Sequence, residues 1–529
     1  MWIPDNDPDA KTYLREELGS AFRKQESKIN VYLAHAPRMA EYFRNLKHNA
    51  ALQFDRDINT PDFHESKGAR EGGRMLRASA FDGRKLGREI HRLRRPLPEF
   101  TAFGVAIESG AELNHFLNAL RSWASLSYVC RRVICNLWDV LIHGRGMRLV
   151  NGNALVARLL AAAQAIERQP ALSKVQAQPP MFKHIRIFAR CPVRELIVEG
   201  GTVRGAVVVT SAGERPVHAR HGVVLACGGF PHDVQRIREL VAHAPTGREH
   251  RSAAPLANTG DGLRLGESAG GCVRPTQASP AAWAPVSLLR RRDGSTATYP
   301  HFVERAKPGV IAVNRAGHRF CDEAASYFDV VKKWIETSSS DGPLEAWLIC
   351  DRSFFWRYGL GVSQAFPLPW WAWKTGYLKM ARTLQGLAKA CGIDSQALLK
   401  TVDAYNEAAL KSADPLGRGS KPFDRSQGDP TVQPNPCLAP ILKAPFFAVR
   451  LQPGSLGTLA GLDTDEQARV LNAGGRPIAG LYACGNDMAA VMGGFYPSNG
   501  VTLGAAMTYG HLIGLAAAEK AKVSANGTD

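Results

Sequence analysis

One segment, residues 480–518, constrains the fold of this chain more than any other. Residues 481–484 form a short apolar run that stops at Gly485-Asn486, as a buried strand does where it enters a loop. The loop at residues 492–500 contains three glycines and a proline, so its backbone can turn sharply and lie close to a ligand. The pattern at residues 501–518 then predicts a helix.

The start of this predicted helix is suited to negative charge. Its first N–H groups have no partner within the helix, and the positive end of the helix dipole lies there. Such a site fits the pyrimidine edge of a flavin ring, which gains negative charge on reduction. Small residues at Gly504, Ala505, Gly510 and Gly514 would let a flat group or another backbone approach closely. The pattern alone fits equally well a glycine-rich turn before an ordinary buried helix.

Length and hydropathy set the broad class of protein. A chain of 529 residues with 45% hydrophobic content is expected to form more than one globular domain. No uninterrupted run of about eighteen apolar residues occurs, so we expect no transmembrane segment, while peripheral contact with a membrane stays open. The N-terminus lacks the basic start and apolar core of a signal peptide, which predicts a cytoplasmic protein.

Charge and cysteine usage exclude further classes. The net charge is +18, but it is spread along the chain, and no nucleic-acid-binding module surrounds the densest clusters at residues 91–96 and 290–292. We therefore expect no nucleic-acid partner. The ten cysteines show neither a CxxC pair nor the spacing of a zinc site, so we expect reduced thiols and no metal centre.

The middle of the chain has the pattern of a β-meander. Residues 194–198 and 203–210 predict a hairpin, a third strand follows near 216–220, and the apolar residues 223–226 lead into Cys227-Gly228-Gly229. Helices are predicted at 31–47 and 113–129, and a Pro/Gln-rich exposed connection at 169–180. Seven tryptophans fall within residues 275–444, which suits either a flat apolar substrate or an ordinary core.

Motifs along nearly the whole chain resemble, in the same order, those of the fumarate reductase/succinate dehydrogenase flavoprotein superfamily, and within it the 3-ketosteroid Δ1-dehydrogenases. They are WIPDN at 2–6, FDGRKLG at 81–87, VVLACGGF at 223–230, NTGDGLRLGESAG at 258–270, VNRAGHRFCDEAASY at 313–327, PFFAVRLQPGSLGTLAGLDTDEQARVL at 445–471, GLYACGN at 480–486 and YPSNGVTLGAAMTYG at 496–510. The resemblance implies an α/β fold of the two-dinucleotide-domain flavoprotein type. It further implies an FAD-binding domain at residues 1–274 and 445–529, into which an α+β substrate-cap domain is inserted at 275–444.

The resemblance also implies a catalytic set for dehydrogenation of a 3-ketosteroid-like, small hydrophobic substrate. Tyr496 and Gly500 match the pair that donates hydrogen bonds to the substrate ketone, and Tyr327 matches the tyrosine that abstracts a proton. The family's assisting tyrosine comes from a PDYY-like element, where this chain has Phe63 and His64. Phe63 cannot exchange a proton, whereas His64 could substitute chemically because imidazole titrates near neutrality. The electron acceptor is not indicated.

The implied cofactor is FAD. Its predicted contacts are the glycines and polar residues that follow strand ends, together with the start of the last helix: Gly228, Gly229, Gly260, Asp261, Gly485, Asn486, Val501, Thr502 and Leu503. A flavoprotein of this type needs a GxGxxG fingerprint after its first strand to hold the pyrophosphate, and no segment of this sequence fits it. We therefore expect a fold truncated at its N-terminus, with Met1 an internal methionine of a longer reading frame.

Two alternative functions stay open. The first is reduction of an unsaturated acid, as in fumarate reductases, which would need a histidine in the loop at 453–461 and cations that clamp carboxylates. That loop has no histidine, and Leu456-Gly457-Thr458 is similar to the LGT element of the ketosteroid enzymes. The second alternative is an FAD-free remnant of a flavoprotein without activity.

Overall fold

The computed structural model describes residues 8–46, 52–108, 110–119, 121–168, 185–274, 278–338, 344–364 and 370–526. The WIPDN segment at 2–6 and the Pro/Gln-rich stretch at 169–180 lie outside the described residues.

Fourteen α-helices occur in this part of the chain: α1 Pro8–Leu18, α2 Phe22–Arg44, α3 Ala111–Leu117, α4 Trp123–His143, α5 Asn151–Arg168, α6 Val234–Leu240, α7 Asp261–Ser268, α8 Tyr327–Thr337, α9 Arg352–Tyr358, α10 Trp370–Lys374, α11 Leu384–Cys391, α12 Ser395–Leu410, α13 Pro422–Gln427 and α14 Val501–Asn526.

The strands of the same residues are β1 Phe54–Asp57, β2 Met75–Ala78, β3 Phe81–Asp82, β4 Thr101–Ala102, β5 Val105–Ala106, β6 Arg148–Leu149, β7 Val193–Glu199, β8 Thr202–Thr210, β9 Gly213–His218, β10 Val223–Leu225, β11 Arg251–Ser252, β12 Val273–Arg274, β13 Ala281–Arg290, β14 Thr296–Pro300, β15 Val310–Asn314, β16 Ala346–Cys350, β17 Leu378–Ala381, β18 Phe446–Thr458, β19 Gly461–Leu462, β20 Arg469–Leu471 and β21 Pro477–Ala483.

The chain divides into two compact units. The larger comprises residues Met1–Ala34, Asn59–Gly72 and Pro192–Gly514, and the smaller comprises His35–Ile58, Gly73–Cys191 and Leu515–Asp529. All candidate catalytic and cofactor-binding residues fall within the larger unit. The boundaries at 274/275 and 444/445 between an FAD-binding domain and a cap stay a prediction.

The predicted meander is confirmed. Strands β7, β8 and β9 form an antiparallel three-stranded sheet, and β10 follows directly. Strand β10 then pairs in parallel with β21, so that Val223 lies opposite Leu481 and Leu225 opposite Ala483. The two glycine-bearing loops that follow β10 and β21 therefore leave the sheet at the same edge.

The helix predicted at 113–129 is wrong as a single element. The chain forms α3 and α4 instead, because the Ser122 side chain accepts a hydrogen bond from the Ser125 N–H and caps a new helix. The helix predicted from residue 501 does begin at Val501, and it continues beyond residue 518 to Asn526.

Helix α14 also bears on the expectation of no transmembrane segment. Over Val501–Val523 its mean hydropathy is 1.3, so by length and composition alone it could cross a membrane, and 17% of that stretch is buried. The expectation rested on uninterrupted apolar runs, whereas here small and polar residues are interspersed. The Tyr509 hydroxyl of this helix donates to the Lys28 carbonyl, 3.0 Å away, so this part packs within the protein.

A seven-stranded sheet is built around β18, in the order β14-β13-β18-β16-β15, with β11 and β17 also paired to β18. Alternate residues of its central strands enter two separate hydrophobic clusters, as the period of two along a strand requires. Three of the seven tryptophans, Trp283, Trp334 and Trp347, are buried in such cores, while Trp356 and Trp370 are more than half exposed. Tryptophan density in this region thus reflects core packing to a large extent.

A buried ion network lies beside this sheet. The Glu323 carboxylate accepts hydrogen bonds from Arg319 at 2.6 and 2.8 Å and from Arg418 at 2.8 Å, and Arg319 also pairs with Asp414. Arg418 donates further to four backbone carbonyls. Burial alone would raise the pKa of Glu323, but the charges of the two arginines outweigh it and lower the pKa to about 2.

Replacing Glu323 by Gln should therefore destabilise the protein severely. The variant leaves two buried guanidinium groups short of negative charge, which typically costs about 3–5 kcal/mol of unfolding free energy. The measurement is urea denaturation followed by tryptophan fluorescence. The matched control is Glu345→Gln, which removes the partner of the half-exposed Arg450 and should cost less than about 1 kcal/mol. Equal effects of the two substitutions would contradict the prediction.

Candidate active site

The site is organised where β10 and β21 end. Asp487, which is fully buried, accepts hydrogen bonds from the backbone N–H groups of Cys227 and Gly229, the latter at 2.9 Å. Burial raises the pKa of this carboxyl group, and the two N–H groups oppose that shift. Asp487 thus ties the loop after β10 to the loop after β21.

Three predicted cofactor glycines also serve the packing of the chain itself. A Cβ atom at Gly229 would collide with the Thr458 hydroxyl, and one at Gly228 would lie 2.6 Å from the Asn258 amide nitrogen. Gly260 has a φ of +80°, which favours glycine, and it precedes α7. These glycines allow the loops to meet, and their contact with FAD stays a prediction.

Asp261 stands at the start of α7, as the sequence predicts. Its carboxylate pairs with Arg264 one turn further along the helix, and both side chains are about half exposed. The carboxylate also accepts a hydrogen bond from Thr259 at 3.3 Å. The charge of Asp261 reaches Asp487, which joins the two loops, and it is balanced by Arg264 of the same helix.

The residues of the last strand-loop-helix segment form a cleft whose lining fits a flavin ring. Its walls combine small residues with polar ones, including Gly485, Asn486, Thr502 and Ala506. Gly500, with a φ of +79°, immediately precedes α14, and a Cβ atom there would meet nothing within 4 Å. Helix α14 begins next to this open space, and the backbone N–H groups of its first residues, Val501, Thr502 and Leu503, have no partner within the helix. The described residues thus fit the ring end of FAD.

The two candidate catalytic tyrosines are adjacent. The hydroxyl oxygens of Tyr327 and Tyr496 are 3.3 Å apart, and the Tyr327 hydroxyl is 3.4 Å from Oδ1 of Asn499. Tyr327 is the first residue of α8, while Tyr496 and Asn499 lie in the loop before α14. Residues far apart in sequence are therefore brought to one point, next to Gly500.

Burial perturbs both phenols. It raises the pKa of Tyr327 well above the ordinary value of 10, and the neighbouring Tyr496 adds to this shift while Arg305 opposes it. Burial likewise raises the pKa of Tyr496, against the effect of its hydrogen bonds with Tyr327 and Thr502. Both side chains are consequently neutral hydrogen-bonding groups near pH 7.

Phenylalanine rings surround the tyrosine pair. Phe63 makes an edge contact with Tyr327, with ring centroids 5.7 Å apart, and stacks on Tyr496 at 6.1 Å. Phe302 contacts Tyr327 and Phe328 stacks on Tyr496, at 5.2 and 5.4 Å. The Phe63 N–H also donates to the Pro497 carbonyl at 3.3 Å, which fixes it to the loop of Tyr496. The pair therefore lies in an apolar environment.

His64 lies beside two carboxylates, with both of its ring nitrogens engaged. Nδ1 is 2.5 Å from Oε2 of Glu17 and Nε2 is 2.9 Å from Oδ2 of Asp329. Burial would lower the pKa of His64, but its hydrogen bonds with the two carboxylates and their charges outweigh burial and raise the pKa to about 9. Neither nitrogen is left for the Tyr327 hydroxyl, so His64 occupies a different place from that of an assisting proton donor.

Several residues of the site escaped the sequence analysis. Asp487 follows the predicted Gly485-Asn486 pair directly, and Asn499 stands within the YPSNG motif, so both were within reach of it. Glu17 and Asp329 gave no such signal, because only the tertiary fold brings them to His64. The Tyr13 hydroxyl donates to the Pro497 carbonyl at 2.7 Å, and no signal in the sequence indicated this contact either.

Comparison with known proteins gives the class of this molecule. The family model described as an FAD binding domain matches residues 1–503. A crystal structure of 3-ketosteroid Δ1-dehydrogenase from Sterolibacterium denitrificans, in complex with 1,4-androstadiene-3,17-dione, superposes with a TM-score of 0.82 at 32% identity, covering 98% of this chain and 91% of that one. Among curated relatives, 3-oxosteroid 1-dehydrogenase of Mycolicibacterium smegmatis is 31% identical over 100% of this chain and 91% of its own length. Another, 4-oxocyclohex-2-ene-1-carboxylate 5-dehydrogenase of Sinomonas cyclohexanicum, is 31% identical over 99% of this chain and 87% of its own length.

The fold and the matches define a flavoprotein with the architecture shared by fumarate reductases and ketosteroid dehydrogenases. The chain belongs to the FAD-binding family of the fumarate reductase/succinate dehydrogenase flavoproteins, and it is an FAD-dependent oxidoreductase whose relatives include 3-oxosteroid 1-dehydrogenases. The fold class, the FAD cofactor and the enzyme class predicted from the sequence are thereby confirmed.

The raised pKa of His64 predicts a loss of stability at alkaline pH. Because the folded pKa of about 9 exceeds the ordinary 6.5, the stabilising contribution of His64 is complete below pH 6.5 and is lost as the pH rises through 9. Allowing for partial exposure, the free energy of unfolding should fall by about 1–2 kcal/mol across this window.

Urea denaturation at a series of pH values measures this slope. His64→Gln, which cannot carry the positive charge, should flatten the slope between pH 6.5 and 9. The exposed His318→Gln serves as the control and should keep the wild-type slope. A His64→Gln variant with the wild-type pH dependence would show that the ion pair contributes nothing.

Proposed function

We propose that this enzyme dehydrogenates a cyclic 3-ketone of the 3-oxosteroid class, introducing a double bond between C1 and C2. The observation that supports this most is the pair of buried phenol groups of Tyr327 and Tyr496, 3.3 Å apart, beside Gly500 at the start of the helix that lines the flavin cleft. Relatives that cover almost the whole chain act on ring ketones, according to their names.

In this proposal Tyr496 and Gly500 polarise the ketone. The phenol O–H and the backbone N–H both donate to the substrate oxygen, which becomes negative as the enolate forms. Donors that are fixed before the reaction stabilise such charge without reorganisation, and one of them is typically worth about 10²–10³ in rate. The positive φ of Gly500 and the stacking of Tyr496 on Phe328 hold the two donors in place.

Tyr327 is the proton acceptor of the proposal. Enolisation releases a proton from C2, and the Tyr327 oxygen takes it up. Because burial raises the pKa of Tyr327, the phenolate is a minor species near neutrality, and catalysis depends on the small fraction that is deprotonated. Asp329 lies two residues after Tyr327 on α8 and binds His64, and in this proposal the two side chains act by positioning Tyr327.

The cofactor completes the oxidation. Gly485, Asn486, Val501 and Thr502, which line the cleft, and Leu503 of the same helix turn would hold the flavin ring of FAD. Gly228 and Gly229 follow the end of β10, and Gly260 and Asp261 stand at the start of α7. When bound, FAD supplies the acceptor for the hydride that leaves C1.

The surroundings of the tyrosine pair favour a substrate with an apolar ring over a substrate whose ring carries a carboxylate. The rings in contact with the pair are those of phenylalanines. Arg305 is the cation whose charge reaches Tyr327, and its guanidinium donates to four backbone carbonyls, those of His301, Phe302, Glu323 and Ala325. Its donors are thus engaged within the protein, which speaks against a substrate carboxylate at this point.

Reduction of an unsaturated acid is the alternative function. Its cationic clamp would have to come from basic residues such as Arg315 and Arg319. Arg319 is buried and is held by two carboxylates, Glu323 and Asp414, so it is not available to a substrate. The alternative therefore has less support than ketone dehydrogenation.

Removing either hydroxyl should reduce ketone dehydrogenation strongly. Tyr496→Phe loses one oxyanion donor and should lower kcat by about 10²–10³. Tyr327→Phe loses the base and should lower kcat by about 10²–10⁴. Tyr377→Phe is the matched control, because Tyr377 is equally buried but bonds to Ser287 outside the pair, and it should retain activity. The measurement is anaerobic bleaching of the bound flavin by a 3-oxosteroid, followed in single turnovers.

The substrate panel decides between the candidate functions. It should contain 4-androstene-3,17-dione as the 3-oxosteroid, 4-oxocyclohexanecarboxylate, and fumarate with a chemical reductant. Bleaching by the steroid alone supports the proposal. Turnover of the small keto acid alone, or reduction of fumarate alone, would contradict it, and protein that is purified colourless would support the FAD-free remnant.

Use of Tyr327 as the base predicts a rate that increases with pH. Between pH 6 and 8.5, kcat/KM should rise by about tenfold per pH unit, since the phenolate fraction rises in that proportion below the raised pKa. The residual rate of Tyr327→Phe should be independent of pH over the same interval. A flat profile for the wild type would exclude Tyr327 as the base.

A further inference from the structure

Helix α4 in the smaller unit presents its polar side to the protein and its apolar side outward. Its buried residues are Ser125, Val129 and Asp139, and Arg132 and Asn136 are half-buried together with Leu126, Tyr128 and Val133. Two of the three buried residues are polar or charged, whereas a surface helix usually buries an apolar side.

The inward face is held by specific polar contacts. Arg132 donates to the Glu112 carboxylate at 2.8 Å, and Asn136 donates to the Gly104 carbonyl at 3.3 Å. Asp139 accepts from the Met147 N–H at 3.1 Å. These contacts fix the rotation of α4 about its own axis, so the outward position of the apolar side follows from the hydrogen bonding of the polar side.

The outward face is unusually apolar. Six large residues on it are between 56% and 86% exposed: Trp123, Ile134, Leu137, Trp138, Leu141 and Ile142. Five of them lie on the last three turns of the helix, between residues 134 and 142, and Trp123 stands at its first turn on the same side; we call these six residues the stripe. Contiguous exposed apolar surface of this extent on a soluble protein marks a surface that is covered by something else.

The charges on and around α4 restrict what covers it. The one acidic residue of the helix, Asp139, is buried, whereas Arg131 is exposed at the edge of the stripe. Beyond the end of α4, the Arg145 guanidinium donates to the carbonyls of Ile90 and Leu93, which brings the exposed Arg94 and Arg95 close to that end. The exposed charges at the stripe are therefore basic, while Glu99, beside Phe100, is half-buried.

A second apolar group adjoins the helix. Asn136 binds the turn between β4 and β5, and in that region Leu97, Phe100 and Phe103 are between 41% and 48% exposed. Tryptophans at two places on the stripe, aliphatic residues between them and arginines at the rim are the composition of a helix that lies in a membrane surface.

We propose that α4, with the adjoining turn, docks into the surface of an anionic lipid bilayer, with the helix parallel to the membrane plane. Three charged residues in α4 exclude a spanning orientation. A second copy of the chain is the other apolar partner to consider, but it has the same basic surroundings and the same net charge of +18, so it would be repelled where anionic lipid is attracted. The proposal is independent of the chemistry at the tyrosine pair.

Vesicle flotation tests the proposal with the full chain. The wild type should float with vesicles of phosphatidylcholine and phosphatidylglycerol in equal amounts, and less with pure phosphatidylcholine. The double variant Ile134→Glu/Leu141→Glu should lower the partition coefficient by roughly tenfold or more, because it removes two apolar anchors and adds negative charge. Leu410→Glu, at an equally exposed leucine of α12, is the matched control and should float as the wild type does.

A second measurement does not depend on the folding of a variant. Brominated lipids should quench the fluorescence of Trp123 and Trp138 in the wild type, and the quenching should shrink in Trp123→Phe/Trp138→Phe. Wild-type protein that neither floats nor is quenched overturns the proposal. So does light scattering that shows a dimer in the absence of lipid which the Ile134→Glu/Leu141→Glu substitution dissociates, because the stripe then binds a second copy.

Discussion

The buried carboxylate of Asp487 is the interaction on which the site depends. It joins the loop after β10 to the loop after β21 through the N–H groups of Cys227 and Gly229. A Cβ atom at Gly262 would collide with the same carboxylate, so α7 also packs against it directly. Three glycine-containing segments thus meet at one acceptor, and the Gly229 N–H that it satisfies would otherwise be buried without a partner. Every predicted cofactor residue lies on one of these segments or on the helix that follows them.

A second constraint holds the reacting groups. The loop before α14 is fixed through the carbonyl of Pro497, which accepts from both the Tyr13 hydroxyl and the Phe63 N–H. Facing this loop, the start of α8 is fixed by Asp329, which binds Ser326 and His64. The two tyrosine hydroxyls meet because each supporting segment is held by groups from the first seventy residues of the chain, namely the Tyr13 hydroxyl, the Phe63 N–H and the His64 side chain. The charges of Glu17, His64 and Asp329 stay outside the apolar environment of the pair, where they would otherwise alter the pKa values of the phenols.

The sequence predicted those parts of the molecule that local pattern determines. The meander, strand β21 and the start of α14 follow from apolar runs that end at glycines, and the motif order led to the correct family. The break between α3 and α4 was missed, because a serine cap inside a continuous helical pattern has little weight on its own. The association of His64 with Glu17 and Asp329 could not be predicted, since it joins residues separated by 47 and 265 positions. For the same reason the sequence offered His64 as a partner for Tyr327, a place that the fold gives to Phe63.

The presence of Phe63 beside Tyr327 has a chemical consequence for any proton that Tyr327 accepts. Oxygen atoms close to the Tyr327 hydroxyl are those of Tyr496, at 3.3 Å, and of the Asn499 amide, at 3.4 Å. An amide oxygen accepts a hydrogen bond but is too weak a base to take the proton away, and Tyr496 is engaged as a donor to the substrate ketone in the proposed mechanism. A phenylalanine at position 63 offers no further relay. In the proposed mechanism these side chains then provide no relay for the proton on Tyr327, so its release through the space that the substrate vacates would couple regeneration of the base to release of the product.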